Sequence, residues 1–140
     1  MRDIVLDTDI LILLVKLRKL DEFVGRFRAY ITVITEYEYL RGEVKAGVNS
    51  FVSKDTLEKA FDILYLDNRS VRIASEMWAD LVRNRETFDE RDLLIGAICI
   101  ANEIPLWTGN IRHFIKLRKY GLQLVDIDPS GWQVQYWTSE

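Results

Sequence analysis

The alternation of short, β-branched apolar segments with longer segments of helical pattern most constrains how this chain can fold. Strands that alternate with helices predict a parallel sheet with helices on both faces, joined by right-handed crossovers. The sequence therefore predicts the α/β class. Strands are predicted at residues 3–7, 30–34, 104–108 and 122–127, and residues 64–66 are a candidate for a further brief extended segment.

Helical patterns fill the stretches between these strands and carry their own start signals. Thr8 and Asp9 offer N-cap chemistry for the first helix, and residues 35–38 have the pattern of a capping box. Ser53 and Ser70 are the expected N-caps of two amphipathic helices. Helices are predicted at residues 10–20, 21–28, 35–45, 53–64, 70–83, 89–101 and 110–114.

A chain of 140 residues is expected to form one domain with one core, here residues 1–140. It contains two prolines, seven glycines and no linker-like stretch, so no internal boundary is predicted. Cys99 is the single cysteine, which excludes an intramolecular disulfide and a thiolate metal cage. Because it lies in an apolar run, it is expected to be a small buried hydrophobic residue.

The net charge of −3 argues against a surface coated with positive charge. It does not exclude a nuclease, because a bound divalent metal would invert the charge locally. The first residues lack the layout of a signal peptide, and the apolar run 10–15 is too short to span a bilayer. We therefore expect a cytoplasmic protein without membrane association. Basic residues cluster at 16–19, 26–28 and 116–119. These clusters are expected to be solvated surface, and contact with phosphate groups is the alternative interpretation.

Acidic side chains fall where the predicted strands end and the predicted helices begin. Asp7 and Asp9 end the first strand, and Glu38 lies in the first turn of the helix after the second strand. Asp92 lies in the first turn of the apolar helix, and Asn110 follows the strand that this helix leads to. Ligands bind at the carboxyl ends of the strands in such sheets. The sequence therefore predicts a polar site at that edge.

Helix capping is an alternative explanation for Glu38 and Asp92, because acids in a first turn satisfy backbone N–H groups and favour the helix dipole. Asp7 is harder to explain in this way, since an unpaired carboxylate at the end of a buried strand is costly. Clustered carboxylates repel unless a cation lies between them, and oxygen ligands suit Mg²⁺ or Mn²⁺. His113 is the only histidine, which excludes a histidine pair, and no Gly-rich phosphate loop or nucleophile elbow is present.

Four segments resemble the sequence blocks of the PIN-domain nucleases, in the order and spacing of that family. Residues 5–12 (VLDTDILI) resemble the opening strand, and residues 31–42 (ITVITEYEYLRG) resemble the second block. Residues 92–97 (DLLIGA) and 104–114 (IPLWTGNIRHF) resemble the third and fourth blocks. The resemblance covers nearly the whole chain, and four blocks in order are far more specific than one.

This resemblance implies a three-layer PIN-like domain, with a central parallel β-sheet flanked by helices. It also implies that Asp7, Glu38 and Asp92 bind Mg²⁺ or Mn²⁺ in an acidic pocket that hydrolyses RNA endonucleolytically. The size of the chain is similar to that of the toxin component of VapBC-type toxin–antitoxin pairs. That similarity implies a VapB-type antitoxin as partner and a homodimer.

The fourth block departs from the pattern of the family. Thr108 and Asn110 match this block, but many members carry Asp at the position of Asn110. The resemblance therefore leaves open whether a second metal ion binds. Asp9 supplies an additional carboxylate and is a further candidate ligand. Glu36 is a second candidate in its block, ranked below Glu38 because it lies one position out of the pattern.

Two other functions stay open on the sequence. The segment Asp7-Thr8-Asp9 after a strand also resembles the start of haloacid-dehalogenase-type phosphatases, although the apolar helix that follows disfavours this reading. The other is a catalytically decayed PIN-fold module that binds RNA or protein, a reading that Asn110 favours and the three intact acids oppose. The aromatic tail, with Trp132, Tyr136 and Trp137, offers apolar surface that must pack on something.

Overall fold

The computed structural model describes residues 1–138, which contain a six-stranded sheet. The strands are β1 (Arg2–Leu6), β2 (Phe27–Thr32), β3 (Asp62–Leu64), β4 (Leu106–Trp107), β5 (Leu124–Ile127) and β6 (Val134–Tyr136). Their order is β3-β2-β1-β4-β5-β6, and all neighbours are parallel except β5 and β6. The predicted α/β class with a central parallel sheet is confirmed, with β6 as an antiparallel edge strand that the sequence analysis missed.

Seven α-helices and one 3₁₀ helix connect these strands within the described residues. The helices are α1 (Thr8–Leu17), α2 (Leu20–Arg26), α3 (Val33–Lys45), α4 (Ser50–Ala60), α5 (Asn68–Arg83), α6 (Glu90–Asn102) and α7 (Ile111–Phe114), and the 3₁₀ helix is Ile115–Tyr120. Within residues 1–138, none of them combines the length and the apolar character needed to cross a membrane.

The predicted N-caps of α3, α4 and α5 were wrong by three or four residues. The predicted caps are buried hydroxyl residues inside the first turn, and each helix is capped by a residue before it. In α5, for example, the Asp67 side chain accepts the Ser70 N–H while the Ser70 hydroxyl accepts the Asp67 N–H. The observed caps are Thr32, Asn49 and Asp67, in place of Thr35, Ser53 and Ser70.

The register of the central strands brings their carboxyl ends together. Leu6 of β1 pairs with Trp107 of β4. The residues that follow these two, Asp7 and Thr108, therefore lie side by side. Val5 pairs with Tyr30 of β2, so β2 reaches the same level as β1 before α3 begins. The ends of β1, β2 and β4 therefore meet at one edge, in the middle of the sheet.

Hydrophobic cores on both faces of the sheet give the predicted three layers. Alternate residues of β1 point to opposite faces, as the pleat requires: Ile4 and Leu6 pack with α1 and α2, while Val5 packs with α5 and α6. Cys99 lies in the second core, fully enclosed, and burial raises the pKa of its thiol. Its predicted role as a buried hydrophobic residue is confirmed.

The C-terminal tail packs partly on the chain itself. Trp132 is buried against Phe23 and Phe27, and its indole N–H donates to Glu22 Oε2 at 2.9 Å. Tyr136 and Trp137 remain exposed beside β6. One of the three aromatic residues therefore has its partner within this domain, while the other two keep an open apolar surface.

Candidate active site

Asp7 is the most enclosed acid at the shared edge of β1 and β4, with 1% of its surface exposed. Its Oδ1 accepts the Thr8 N–H at 2.8 Å and so caps α1, which corrects the prediction that Thr8 or Asp9 is the cap. Its Oδ2 accepts the hydroxyl of Thr108 at 2.7 Å. Because β1 and β4 are neighbours in register, the strand ends themselves position this pair.

Glu38 reaches the same point from α3. Its Oε1 accepts the Thr8 hydroxyl at 2.5 Å, and the Thr35 hydroxyl lies 3.0 Å from that of Thr8. The prediction that Glu38 lies in the first helical turn is wrong, because α3 begins at Val33 and Glu38 lies in its second turn. Thr32 is the cap, and capping therefore does not explain Glu38.

Asp92 reaches the site from the first turn of α6 and is 5% exposed. The cap of this helix is Asp89, whose side chain accepts the Arg91 N–H at 2.8 Å. Since α6 runs antiparallel to β4, its start lies at the edge where the strand ends. A buried carboxylate that does not cap its helix needs another partner.

That partner is Arg91, which the sequence analysis did not identify. Its guanidinium donates from Nη2 to Asp7 at 3.0 Å, from Nη1 to Asp92 at 2.6 Å and from Nε to Glu38. Nη2 also lies 3.1 Å from the hydroxyl of Thr8. One planar cation therefore stands among the three predicted acids, and a forked guanidinium is the side chain best suited to do so.

The electrostatics of the site follow from burial and from this cation. Burial raises the pKa of Asp92, and the nearby Arg91 opposes that effect without cancelling it. For Glu38, burial is again the largest influence, but hydrogen bonds from Arg91 and Thr8 outweigh it and lower the pKa. Burial would lower the pKa of Arg91, but its interactions with Glu38 and Asp7 outweigh burial and raise that pKa above its ordinary value. Arg91 is therefore a permanent positive charge here.

Asp9 and Asn110 lie at the rim of the site. Asp9 Oδ2 accepts the Gly109 N–H at 3.0 Å, and a Cβ built on Gly109 would approach that oxygen to 2.6 Å. Partial burial, followed by repulsion from Asp7, raises the pKa of the Asp9 carboxyl. Asn110 is exposed, and its backbone N–H donates to the Thr108 hydroxyl at 3.0 Å.

Glu36 is turned to a different neighbourhood. It is buried, with Lys54 of α4 at 3.2 Å from its Oε2. Lys54 also pairs with Glu58 one turn further along α4. Glu36 therefore links α3 to α4 and does not join the three acids, in agreement with its lower rank.

A pocket of about 440 Å³, whose lining includes Arg112 and Lys116, opens beside Asp92, and its basic side chains suit a phosphate group. His113 Nδ1 lies 3.4 Å from Asp92 Oδ2, so this pocket adjoins the acidic site. Asp89 on its wall is the one acid among its lining residues. The pocket is lined by Thr87, Phe88, Asp89, Arg112, His113 and Lys116.

The three acids offer a metal ion oxygen ligands but no ready-made cavity. As placed, no three Asp, Glu, His or Cys side chains within residues 1–138 stand close enough to hold one ion. The reason is that Asp7, Glu38 and Asp92 surround the guanidinium of Arg91. Their donor chemistry nevertheless fits a hard cation, because all three side chains supply carboxylate oxygens. A divalent ion would need Arg91 to leave and the carboxylates to close in.

Fold and site together define an α/β domain of the PIN type, with its acids at the carboxyl edge of a parallel sheet. Among solved structures, VapBC-1 from nontypeable Haemophilus influenzae is similar at a TM-score of 0.73, with 23% identity over 89% of this chain and 97% of that chain. VapBC-5 from Mycobacterium tuberculosis is similar at 0.66, with 21% identity over 91% of this chain and 100% of that chain. These similarities concern the fold.

Similarity in sequence identifies the family. Ribonuclease VapC1 of Methanocaldococcus jannaschii is 31% identical over 123 residues, which are 88% of this chain and 87% of that protein. A VapC ribonuclease of Pyrococcus furiosus is 26% identical over 104 residues, 74% of this chain and 70% of that protein. No protein-family model matches the chain. The chain belongs to the VapC ribonuclease family.

Proposed function

We propose that this protein is a ribonuclease that acts as the toxin of a type II toxin–antitoxin pair. Its relatives in Methanocaldococcus jannaschii and Pyrococcus furiosus are named as ribonucleases. The observation that carries the proposal is the convergence of Asp7, Glu38 and Asp92, from three separate elements, on one point at the carboxyl edge of the sheet. Hydrolysis of phosphodiester bonds in RNA is the reaction that these relatives support.

We further propose that the reaction depends on Mg²⁺ or Mn²⁺ held by Asp7, Glu38 and Asp92. Asp9 and Asn110 are outer candidates, because they lie at the rim and not among the three acids. Such an ion, when bound, lowers the pKa of a water molecule and stabilises charge on the phosphoryl oxygens. The family and the donor set support this proposal.

The residues of the chain itself fix the geometry of the site. Thr108 holds one oxygen of Asp7 through its hydroxyl, and Thr8 holds one oxygen of Glu38. Each bond leaves the other carboxylate oxygen directed at the common point, where Arg91 now lies. Because Asp7 and Asp92 are almost fully enclosed, their charges are poorly screened by water, and their demand for a cation is strong.

The pocket with Arg112, His113 and Lys116 is the place we propose for the RNA backbone. Arg112 and Lys116 lie one helical turn apart and line the same pocket, which adjoins Asp92 through His113. Phosphates attract such cations regardless of base sequence. The net charge of −3 is compatible with this role, since the cations are gathered beside the site.

A VapB-type antitoxin and a homodimer are the proposed protein partners. The similar structures from Haemophilus influenzae and Mycobacterium tuberculosis are VapBC structures, which supports an antitoxin. The exposed apolar side chains of Ile12, Val15 and Trp137 supply surface for such contacts. Mass spectrometry of the protein purified from its own host tests the antitoxin, and light scattering of the isolated chain tests the dimer. A cytoplasmic location is part of the proposal.

The phosphatase alternative gains no support from the geometry of Asp7. A nucleophilic aspartate needs a free oxygen, whereas Oδ1 of Asp7 caps α1 and contacts Arg91, and Oδ2 accepts the Thr108 hydroxyl. The decayed-module alternative rests on Asn110 alone. We therefore keep hydrolysis of RNA by activated water as the function.

Cleavage of a mixed, structured RNA pool with Mn²⁺, Mg²⁺ or EDTA tests the proposal. We expect cleavage with either metal, none with EDTA, and none by Asp7→Asn, which keeps the shape of the side chain and removes its charge. Asp55→Asn is the matched control, since Asp55 is exposed and pairs with Lys59 on α4. Retained cleavage by Asp7→Asn, with the control active, would overturn the proposed site.

A further inference from the structure

Arg91 occupies the point at which the proposed metal would bind. Its guanidinium contacts Asp7 at 3.0 Å and Asp92 at 2.6 Å and also pairs with Glu38. A guanidinium and a divalent ion cannot both lie among the same three carboxylates, because they repel each other and compete for the same oxygens. Binding of a metal therefore requires a change at Arg91.

The structure shows how that change can occur without unfolding. Arg91 lies in the first turn of α6, where its backbone N–H is held by Asp89, so the main chain stays in place. Its side chain is 28% exposed, whereas those of Asp7 and Asp92 are 1% and 8% exposed. Rotation of one long side chain toward solvent is therefore enough to open the acidic site.

We propose that Arg91 is an internal counter-ion that fills the acidic site of the metal-free protein and must swing out before a divalent ion binds. This inference rests on the metal-dependent function proposed above. In the metal-free state Arg91 prevents the buried carboxylates of Asp7 and Asp92, and the partly buried carboxylate of Glu38, from being left without a partner, which would destabilise the fold. It also reduces metal affinity, because the apparent dissociation constant rises as the metal-competent fraction of molecules falls.

A permanent structural cross-link is the alternative role for Arg91. In that case Arg91 would help to build the metal site, and its removal would weaken metal binding. Simple charge repulsion is a second alternative, in which any cation at this position lowers metal affinity. The two substitutions Arg91→Met and Arg91→Lys separate these alternatives, because Met removes the charge while Lys keeps the charge and loses the fork that reaches three carboxylates.

Calorimetric titration of Mn²⁺ into the purified full chain tests the inference without any activity assay. Arg91→Met is expected to bind Mn²⁺ at least tenfold more tightly than the unmodified protein, the change for a site that Arg91 fills in about nine of ten molecules. Arg91→Lys is expected to bind more tightly as well, by a smaller factor. Arg72→Met is the matched control, since Arg72 pairs with Glu76 on the exposed side of α5. The Mn²⁺ affinity of this variant should equal that of the unmodified protein.

Thermal unfolding supplies a second measurement on the same proteins. Mn²⁺ should raise the midpoint of Arg91→Met more than that of the unmodified chain, because a tighter ligand stabilises the folded state more at equal concentration. If Arg91→Met does not fold without metal, Arg91→Lys decides the question by the same two measurements.

The outcomes distinguish this inference from the proposed function. Equal or weaker binding by Arg91→Met, with the unmodified protein binding Mn²⁺, overturns the counter-ion role and leaves the function standing. Tighter binding by Arg91→Met together with unchanged binding by Arg91→Lys reduces the effect to simple repulsion and also overturns it. If neither the unmodified protein nor the Arg91 variants bind Mn²⁺, the metal proposal fails, and the inference fails with it.

Discussion

Replacement of Thr108 by valine tests how the buried Asp7 is held. Valine has nearly the same shape as threonine, so the substitution opens no cavity and removes one hydroxyl. Thr108 is 2% exposed, and its hydroxyl donates to Asp7 Oδ2 at 2.7 Å and accepts the Asn110 N–H at 3.0 Å. A hydrogen bond to a charged group contributes about 1.5–3 kcal/mol and a neutral one about 0.5–1.5 kcal/mol. We therefore expect Thr108→Val to lower the free energy of unfolding by about 2–4.5 kcal/mol.

Urea denaturation in EDTA, followed by circular dichroism, measures this loss. Thr108→Ser is the matched control, because it keeps the hydroxyl and loses one methyl group, worth about 0.8 kcal/mol. The midpoint of thermal unfolding should fall by several degrees more in Thr108→Val than in Thr108→Ser. If the two variants are equally stable, the Thr108 hydroxyl does not support the Asp7 carboxylate, and our account of the strand-end geometry is refuted.

Three further predictions concern the RNA contact, the rim and the core. Arg112→Ala, made in the inactive Asp7→Asn protein, should weaken RNA binding measured by fluorescence anisotropy. It should also reduce the slope of log binding constant against log salt concentration by about one. An unchanged slope would show that Arg112 does not contact RNA. Asn110→Asp should bind Mn²⁺ more tightly in calorimetry, because it adds a carboxylate, and equal affinity would exclude this position as a ligand. Phe23→Ala should lose about 3–5 kcal/mol in urea denaturation, since Phe23 is fully enclosed; a loss near zero would contradict the packing described for this core.

The positions of Asp7 and Thr108 were predictable because they depend on strand ends. The predicted ends of these two strands, residues 7 and 108, lie one residue beyond the observed ends, and parallel neighbours share an edge. The observed β1 ends at Leu6 and β4 at Trp107, so each polar residue directly follows its strand. The main-chain hydrogen-bonding pattern of the sheet then carries them into contact.

The partner of the acids was not predictable in this way. The sequence has no basic residue near Asp7, and Arg91 lies 84 positions away along the chain. Its approach depends on the phase of α6, which Asp89 fixes by capping the helix two residues before Arg91. An error of one residue in that phase would direct Arg91 away from the site, and no sequence pattern determines phase so closely. Glu38 shows the same effect, because its helix begins at Val33 and not at the predicted capping box.

The strand β6 was missed because its local signal is weak. It has three residues, and its pairing with β5 lies beyond a turn that contains Pro129 and Gly131. Trp132 in that turn adopts a positive φ of 60°, which is unusual for a residue with a large side chain. Its burial against Phe23 stabilises this conformation, and such a long-range contact is not visible in the sequence.

The short edge strands also determine how this sheet meets other molecules. β3 and β6 lie at the two ends of the sheet, and each has three residues. An exposed strand edge offers unpaired N–H and C=O groups that recruit strands from other chains into aggregates. β6 pairs with β5, which contains the fully enclosed Val125. A chain cut before Val134 would therefore expose the backbone edge of an apolar strand. We therefore expect the C-terminal tail to limit aggregation of the protein through this edge of the sheet.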